Sequence, residues 1–312
     1  MEVTHGNLQT LERTYSTAFR EGYDQAPRDH ESFAMTIPSG SLTQEYAWLG
    51  QFPSLNEWSG ERIIRGINQQ GFAIRNRLFE STVGVQRTTI EDDQYGVYGP
   101  LMREMGRAAS DHQAQMVYGL LAQGFTRKGY DGQYFFDTDH PVSSSAGGTT
   151  KLYSNDGGGN NAEAWFLVDA SRMVKPIIFQ ERLRPEFTML NQADDEHVFM
   201  RDEYLYGIRE RSNVGFGFWQ TAYGSKDELN DTNYKTAREA MRGVKGDEGR
   251  PLGITPTHLI VPPTMEEKGR ELLVSERSAD GSTNVWFDTA TLVVTPWLSA
   301  GTTLDEGGGL ES

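Results

Sequence analysis

The sequence predicts an α+β fold, in which two helical segments precede a run of strands and a smaller α/β segment. Apolar residues recur at helical spacing in residues 3–23 and again in 100–123. Aromatic and β-branched residues dominate short segments between 164 and 223, as is typical of strands. From 232 to 299, short apolar runs alternate with helical patterns.

Composition excludes several classes of protein. The 312 residues include 29 Lys and Arg against 44 Asp and Glu, for a formal net charge of -15. A dedicated DNA-binding protein needs a basic face to neutralise phosphates, so we expect any contact with nucleic acid to be weak. The chain contains 0 cysteines, which excludes disulfides and thiolate chemistry and fits a reducing cytoplasm. We expect neither a secretory signal nor a membrane span.

The N-terminal helix is predicted over 3–23, with Leu8, Leu11 and Phe19 on its apolar face. A polar break that contains Pro27 follows it. Two interpretations remain open. The helix is either an arm that extends from the body or a first helix that packs on the subunit's own core.

A two-stranded ribbon is predicted within 45–85. Its strands are Arg62–Ile67 and Phe72–Phe79, joined by a turn at 68–71. Such a ribbon is marginal alone and needs a partner surface. The candidate interface residues are Trp58 and the arginines that interleave with the apolar positions, namely Arg62, Arg65, Arg75 and Arg77.

The strongest helix is predicted from Pro100, which suits a first turn, to the residue before Gly124. His112 lies on its apolar face, and we interpret it as a buried, hydrogen-bonded core histidine. Residues 126–163 are predicted to be mostly exposed loop. The strands predicted after this loop are Trp165–Val168, Pro176–Phe179, His197–Met200, Tyr204–Ile208 and Phe216–Tyr223.

The C-terminal segment is predicted to contain two helices and two strands, followed by a disordered tail at 300–312. Thr264 is expected to cap the second helix. The helices are Asn233–Val244 and Thr264–Glu276, and the strands are His258–Val261 and Thr291–Thr295.

Few residues suggest chemistry. Asp137, Asp139 and His140 form a weak candidate for a metal site, because carboxylates and imidazole bind divalent ions. No second histidine stands at a ligand spacing, and no nucleophile elbow surrounds Ser143–Ser145. We therefore predict no catalytic residue, no cofactor and no metal, and a protein that is not an enzyme. A metal-dependent hydrolase that uses the three residues is kept as an alternative.

Several segments resemble the major head subunit family of Mu-like phages, over about 45–298. They are structural rather than catalytic motifs. The segments are Trp58–Arg62 (WSGER), Ile90–Tyr98 (IEDDQYGVY), Met102–Ala108 (MREMGRA), Tyr130–Pro141 (YDGQYFFDTDHP), Lys175–Glu181 (KPIIFQE), Phe199–Gly207 (FMRDEYLYG), Gly217–Gln220 (GFWQ), Gly249–Ile254 (GRPLGI) and His258–Pro263 (HLIVPP).

The resemblance implies the Hong Kong 97-type phage capsid fold. It implies an N-terminal arm at 1–33, an E-loop hairpin at 45–85, a peripheral (P) domain, an axial (A) domain at 231–299 and the flexible tail. The P domain would comprise 34–44 and 86–230, with its spine helix at about 100–123. Here the strand-rich segment precedes the A domain, whereas P-domain strands usually follow it.

The function that the resemblance implies is that of a major capsid protein. Copies would form pentamers and hexamers, and these would close into an icosahedral head around double-stranded phage DNA, assembled in the host cytoplasm. A scaffold protein, a portal and possible decoration proteins would be partners, and no membrane would be involved. Because Lys128 is the first lysine, an E-loop lysine crosslink is excluded. A non-capsid phage structural or decoration protein is the remaining alternative.

Overall fold

A computed structural model describes residues 5–46, 49, 72–92, 97–143, 150–192, 194–246, 249–277 and 281–299. The helices are α1 (His5–Gln25), α2 (Arg87–Glu91), α3 (Tyr98–Ala122), α4 (Glu196–Arg201), α5 (Asp231–Gly243) and α6 (Glu266–Leu273). The strands are β1 (Ala34–Pro38), β2 (Thr43–Glu45), β3 (Ala73–Arg75), β4 (Arg77–Gln86), β5 (His140–Ser143), β6 (Thr150–Tyr153), β7 (Asp156–Gly159), β8 (Trp165–Val168), β9 (Ile177–Leu190), β10 (Glu203–Phe216), β11 (Ala222–Lys226), β12 (His258–Val261) and β13 (Thr291–Val294).

A four-stranded sheet with the order β1-β9-β10-β4 combines two N-terminal strands with two strands from the middle of the chain. Strands β9 and β10 form a long antiparallel hairpin with α4 at its tip. One face of this hairpin is apolar and packs under α1 and α3, where Tyr15 meets Tyr206 with 5.5 Å between ring centroids. Phe19 stacks on Phe187 at 5.1 Å. Alternation along β10 thus directs every second side chain into the core.

Helices α1 and α3 pack at backbone distance, because each contributes a glycine to the crossing. A Cβ at Gly106 would lie 2.0 Å from the carbonyl oxygen of Phe19, and a Cβ at Gly22 would lie 1.9 Å from that of Arg103. Arg103 also pairs with Glu21 at 2.8 Å. In the subunit, α1 is therefore a packed first helix, which is the second of the two interpretations left open by the sequence.

A five-stranded sheet has the order β13-β12-β8-β11-β7, and its strands lie between residues 156 and 294. Strand β8 is buried along its whole length, and β12 is buried at all but its first residue. Strands that are apolar at consecutive positions are typical of a sheet that is covered on both faces. The sheet contains strands from both sides of the predicted boundary at 230/231. The β9–β10 hairpin of the other sheet lies between β8 and β11 in sequence.

The helix predicted at 100–123 is present as α3, and the helix at 233–244 is present as α5. Three local predictions are wrong. His197–Met200 is helical within α4 rather than a strand, and Asp202 ends that helix in the left-handed region with φ of 51°. Thr264 caps no helix, because its hydroxyl donates to Glu163 and α6 begins at Glu266.

The third error concerns Phe216–Tyr223, which is not one strand. Strand β10 ends at Phe216, a 3-10 turn covers Trp219–Thr221, and β11 begins at Ala222. Gly217 donates its backbone N–H to Pro176 at 2.7 Å, and a Cβ there would lie 2.1 Å from the carbonyl oxygen of Lys175. This close crossing of two chain segments redirects the strand. Among the described helices, none is long and apolar enough to cross a membrane.

Candidate assembly surfaces

The base of the predicted ribbon is attached to the four-stranded sheet. Strands β2 and β3 pair antiparallel, with Thr43 opposite Arg75. The fully buried Gln180 of β9 holds this pair, since its Nε2 donates to the Ile74 carbonyl at 3.1 Å and to Asn76 Oδ1 at 2.7 Å. Tyr46 donates to Gln180 Oε1 at 2.8 Å. The amide satisfies both its donors and its acceptor and holds the base of the ribbon on the sheet.

A glycine on β10 provides the space that the ribbon base needs. A Cβ at Gly215 would lie 2.3 Å from Ile74 Cδ1 and 3.2 Å from Phe72. Ile74 and Phe72 are both buried against this strand. The sequence gives no direct sign of this contact, because neither Gln180 nor Gly215 belongs to a recognisable motif. These two residues position the ribbon and were missed by the sequence analysis.

Two of the five predicted interface residues, Arg75 and Arg77, lie within the described part of the chain. Arg75 ends β3 and is exposed, and its carbonyl accepts from Asn213 Nδ2 at 2.6 Å. Arg77 begins β4, and its guanidinium lies 5.3 Å from the ring centroid of Phe79. This cation–π contact partly occupies Arg77 within the subunit. Trp58, Arg62 and Arg65 lie outside the described residues.

His112 is half-buried rather than fully buried, and its ring packs edge-on against Phe79 with centroids 4.3 Å apart. Within the described part of the chain, its Nε2 has no hydrogen-bond partner. The prediction of a hydrogen-bonded histidine is therefore wrong for this atom. Burial lowers the pKa of His112, and the nearby positive charge of Arg77 lowers it further.

The tip of the β9–β10 hairpin exposes an apolar surface. Phe199 is 80% exposed and Met200 is 73% exposed, while their neighbour Val198 is buried and anchors α4. Leu190, at the end of β9, is also exposed. Exposing such apolar side chains to water is unfavourable, and a group of them is typical of a surface that a partner covers.

The metal candidates do not form a site. His140 is fully buried and stacks on Trp219 at 4.0 Å. Its Nδ1 lies 2.6 Å from Asp131 Oδ2, and its Nε2 lies 3.0 Å from Asn155 Oδ1. Both ring nitrogens thus face oxygen atoms of neighbouring side chains. Neither nitrogen is therefore directed towards a position that a metal ion could share with Asp137 and Asp139.

The two carboxylates serve the surrounding loop. Asp137 accepts from the backbone N–H groups of Tyr134 and Thr138, and Asp139 accepts from Gln133 Nε2 at 2.9 Å. Desolvation and a hydrogen bond with Asp137 raise the pKa of Asp139. Throughout the described ranges, no three His, Asp or Glu residues are grouped so that they could hold a metal ion.

Comparisons with known proteins agree with this structural organisation. Residues 8–298 match the family described as "Mu-like prophage major head subunit gpT". The chain is 43% identical over 285 residues to a Mu-like prophage FluMu major head subunit of Haemophilus influenzae, which covers 89% of this chain and 92% of that protein. It is 40% identical over 291 residues to the major capsid protein of Escherichia phage Mu, with coverage of 91% and 95%.

A solved structure is also similar. A chain of the procapsid of bacteriophage JBD30 superposes with a TM-score of 0.84 at 46% identity, covering 95% of this chain and 100% of that chain. This confirms the predicted α+β capsid fold. Neither the hydrolase nor the non-capsid alternative is supported by these matches. The chain belongs to the family of Mu-like prophage major head subunits, and it is a structural component of a phage capsid rather than an enzyme.

Proposed function

We propose that copies of this chain form pentamers and hexamers and close into an icosahedral shell around double-stranded phage DNA. The observation that carries the proposal is the full-length similarity to the JBD30 procapsid chain, with a TM-score of 0.84. Many weak interfaces per subunit give cooperative closure without a single strong contact. Assembly takes place in the host cytoplasm, with a scaffold protein and a portal as partners and decoration proteins as possible additional ones.

The proposed domain map follows the predicted segments, with one change. The arm is 1–33 and the tail is 300–312. The E-loop is 45–85, and its last strand, β4, pairs with β10 of the P domain. The A domain is 231–299 together with β7, β8 and β11, because these strands share its sheet. The remaining parts of 34–44 and 86–230, including the β9–β10 hairpin and α3, form the P domain. This division accounts for P-domain strands that precede the A segment in sequence.

Contact with packaged DNA is proposed to be weak. With a formal net charge of -15, the subunit has few cations available to neutralise phosphates. Such a surface lets DNA slide during packaging instead of holding it. The binding of the purified chain to duplex DNA should be undetectable at physiological salt. A micromolar affinity there would contradict this part of the proposal.

Electron microscopy of the purified chain, expressed alone and with a scaffold protein, tests the shell directly. We expect shells, tubes or isolated pentamers and hexamers, with matching masses in size-exclusion chromatography. A subunit that stays monomeric or dimeric in both expressions would contradict the proposed self-assembly.

Replacing Arg75 with glutamate should prevent assembly and leave the subunit folded. Arg75 is exposed on the ribbon, and arginine forms bidentate bonds with carboxylates at interfaces. The matched variant Arg75→Lys keeps the charge and should assemble with reduced yield. Shell yield is measured by sedimentation, and folding by circular dichroism. Normal shells from Arg75→Glu would exclude this arginine from the interface. Arg77→Glu should also impair assembly, but it additionally removes the contact with Phe79.

A further inference from the structure

The apolar face beneath α1 and α3 contains one carboxylate. Glu210 is only 3% exposed and lies on β10, two residues beyond Ile208 on the same face of the strand. Tyr204 and Tyr206 precede it on that face and are also buried. A carboxylate in such a position is costly to ionise unless it is well hydrogen-bonded. Packing alone therefore does not explain why the carboxylate of Glu210 lies inside the subunit.

A chain of hydrogen bonds connects Glu210 to the N-terminal helix. The Tyr23 hydroxyl of α1 donates to Gln113 Oε1 of α3 at 3.2 Å. Gln113 Nε2 donates to Glu210 Oε1 at 3.1 Å, and the Ser212 hydroxyl donates to the same oxygen at 2.8 Å. Gln113 is itself buried. The chain joins α1, α3 and the sheet through three side chains, so the docking of α1 and the environment of Glu210 depend on each other.

Burial raises the pKa of Glu210 to about 7, against the opposing bonds from Ser212 and Gln113, and the negative charge of Glu181 on β9 raises it further. The other ionisable groups facing this junction are Tyr23 and Arg28 near the end of α1, His112 on α3, Arg77 on β4 and Arg184 on β9, which pairs with Glu181 at 3.1 Å. Arg28 lies over the Tyr23 ring, 4.4 Å from its centroid. Arg77 lies over the ring of Phe79, which also contacts His112, and the positive charge of Arg77 lowers the pKa of His112.

We propose that Glu210 makes the docking of α1 depend on protonation: α1 stays on α3 and the sheet while Glu210 is neutral, and undocks more readily once Glu210 is ionised. Undocking removes Tyr23 and lets water reach the carboxylate, which relieves the cost of the buried charge. The switch would select between the packed helix seen here and an extended arm. It concerns the isolated subunit and does not depend on the proposed shell.

The direction of the effect follows from linkage. A carboxyl whose pKa is higher in the docked state than in the undocked state stabilises docking at low pH, and this stabilisation is lost as pH rises from 4.5 towards about 7. Above that range Glu210 is ionised in both states, so docking changes no further. Within the range, the equilibrium for undocking rises by at most about tenfold per pH unit.

Hydrogen exchange of the full-length unassembled subunit, corrected for intrinsic rates, tests the proposal between pH 5 and pH 8. We expect protection in residues 9–25 of α1 to fall by about tenfold or more from pH 5 to pH 7 and then to level off. Protection of β12 should stay constant. In Glu210→Gln, which keeps the shape but not the charge, α1 protection should not vary with pH. Glu80→Gln, on the exposed face of the same sheet, should behave like the wild type.

Three results would overturn the proposal. One is α1 protection that does not vary with pH in the wild type. Another is a parallel loss in α1 and β12, which would mean global destabilisation. The third is an unchanged pH profile in Glu210→Gln, which would assign the effect to another group, such as His112. If Glu210→Gln fails to fold, Tyr23→Phe replaces it. Removing the hydroxyl should lower α1 protection at pH 5 several-fold without affecting β12, and no change would contradict the coupling.

Discussion

Replacing Gly106 with alanine is expected to destabilise the subunit by about 3 kcal/mol and to free α1 from α3. The new Cβ would lie 2.0 Å from the carbonyl oxygen of Phe19 and 2.8 Å from the backbone nitrogen of Tyr23. Both are main-chain atoms of a helix, so no side-chain rotation can relieve the clash. The helices must separate, and the aromatic contacts of Tyr15 and Phe19 with the sheet are then weakened.

The matched control for this prediction lies on the same helix. Gly99 is in the first turn of α3, and a Cβ there meets nothing within 4 Å. Gly99→Ala should therefore be neutral or stabilise the subunit by up to about 1 kcal/mol, because alanine has the higher helix propensity. Urea denaturation followed by circular dichroism measures both variants. Equal stabilities of Gly106→Ala and Gly99→Ala would show that α1 does not dock on α3 as described.

These glycines illustrate how far the sequence predicts the fold. Apolar spacing predicts that 3–23 and 100–123 are helices, because each helix buries one stripe. The same spacing does not specify which helices cross, so it leaves α1 open between an arm and a packed helix. The crossing depends on Gly22 and Gly106, whose meaning appears only when the two backbones are in contact.

The errors at single elements have equally specific causes. Residues 197–200 contain valine, phenylalanine and methionine, and this apolar run favours a strand by propensity alone. In the structure they form a short helix at a hairpin tip, where only Val198 is buried. The boundary predicted at 230/231 lies where the local sequence pattern changes. Strands β8 and β11 precede this boundary and β12 follows it, yet the three strands belong to one sheet. Pairing between strands that are distant in sequence leaves no mark in the local pattern.

The sequence predicts some residues of the candidate surfaces and not others, for a similar reason. The arginines of the ribbon are visible in the sequence as an alternating pattern, and Arg75 lies at an exposed position in the structure. Gln180 and Gly215, which position that ribbon, act through long-range contacts that no local pattern reports. The cluster Asp137, Asp139 and His140 was predicted as a weak metal candidate from composition. Its histidine is instead engaged by Asp131 and Asn155.

Replacing Asn155 with alanine is the second change with a large expected effect, a loss of about 3–4 kcal/mol in the free energy of unfolding. Asn155 is buried, and its Nδ2 lies 2.8 Å from the carbonyl of Phe135 and 3.3 Å from the carbonyls of Trp219 and Ala222. Its Oδ1 accepts from the Asp137 backbone at 2.9 Å. Alanine removes all of these bonds, although the Trp219 carbonyl keeps the backbone N–H of Ala222, and each buried group left unsatisfied costs about 1–3 kcal/mol.

The isosteric variant Asn155→Asp separates hydrogen bonding from packing. It keeps the volume and still accepts from His140 and Asp137, but it replaces a donor to three carbonyls by a carboxylate oxygen that repels them. We expect it to be at least as unstable as Asn155→Ala at neutral pH.

Asn160→Ala, at an exposed position, should change stability by less than about 0.5 kcal/mol. Thermal unfolding of the three variants decides the matter, because a stable Asn155→Asp would mean that the amide does not join these three segments. If the amide does join them, its loss also frees the loop that holds Asp131 and His140, and the hydrogen-exchange protection of that loop should fall before that of β8.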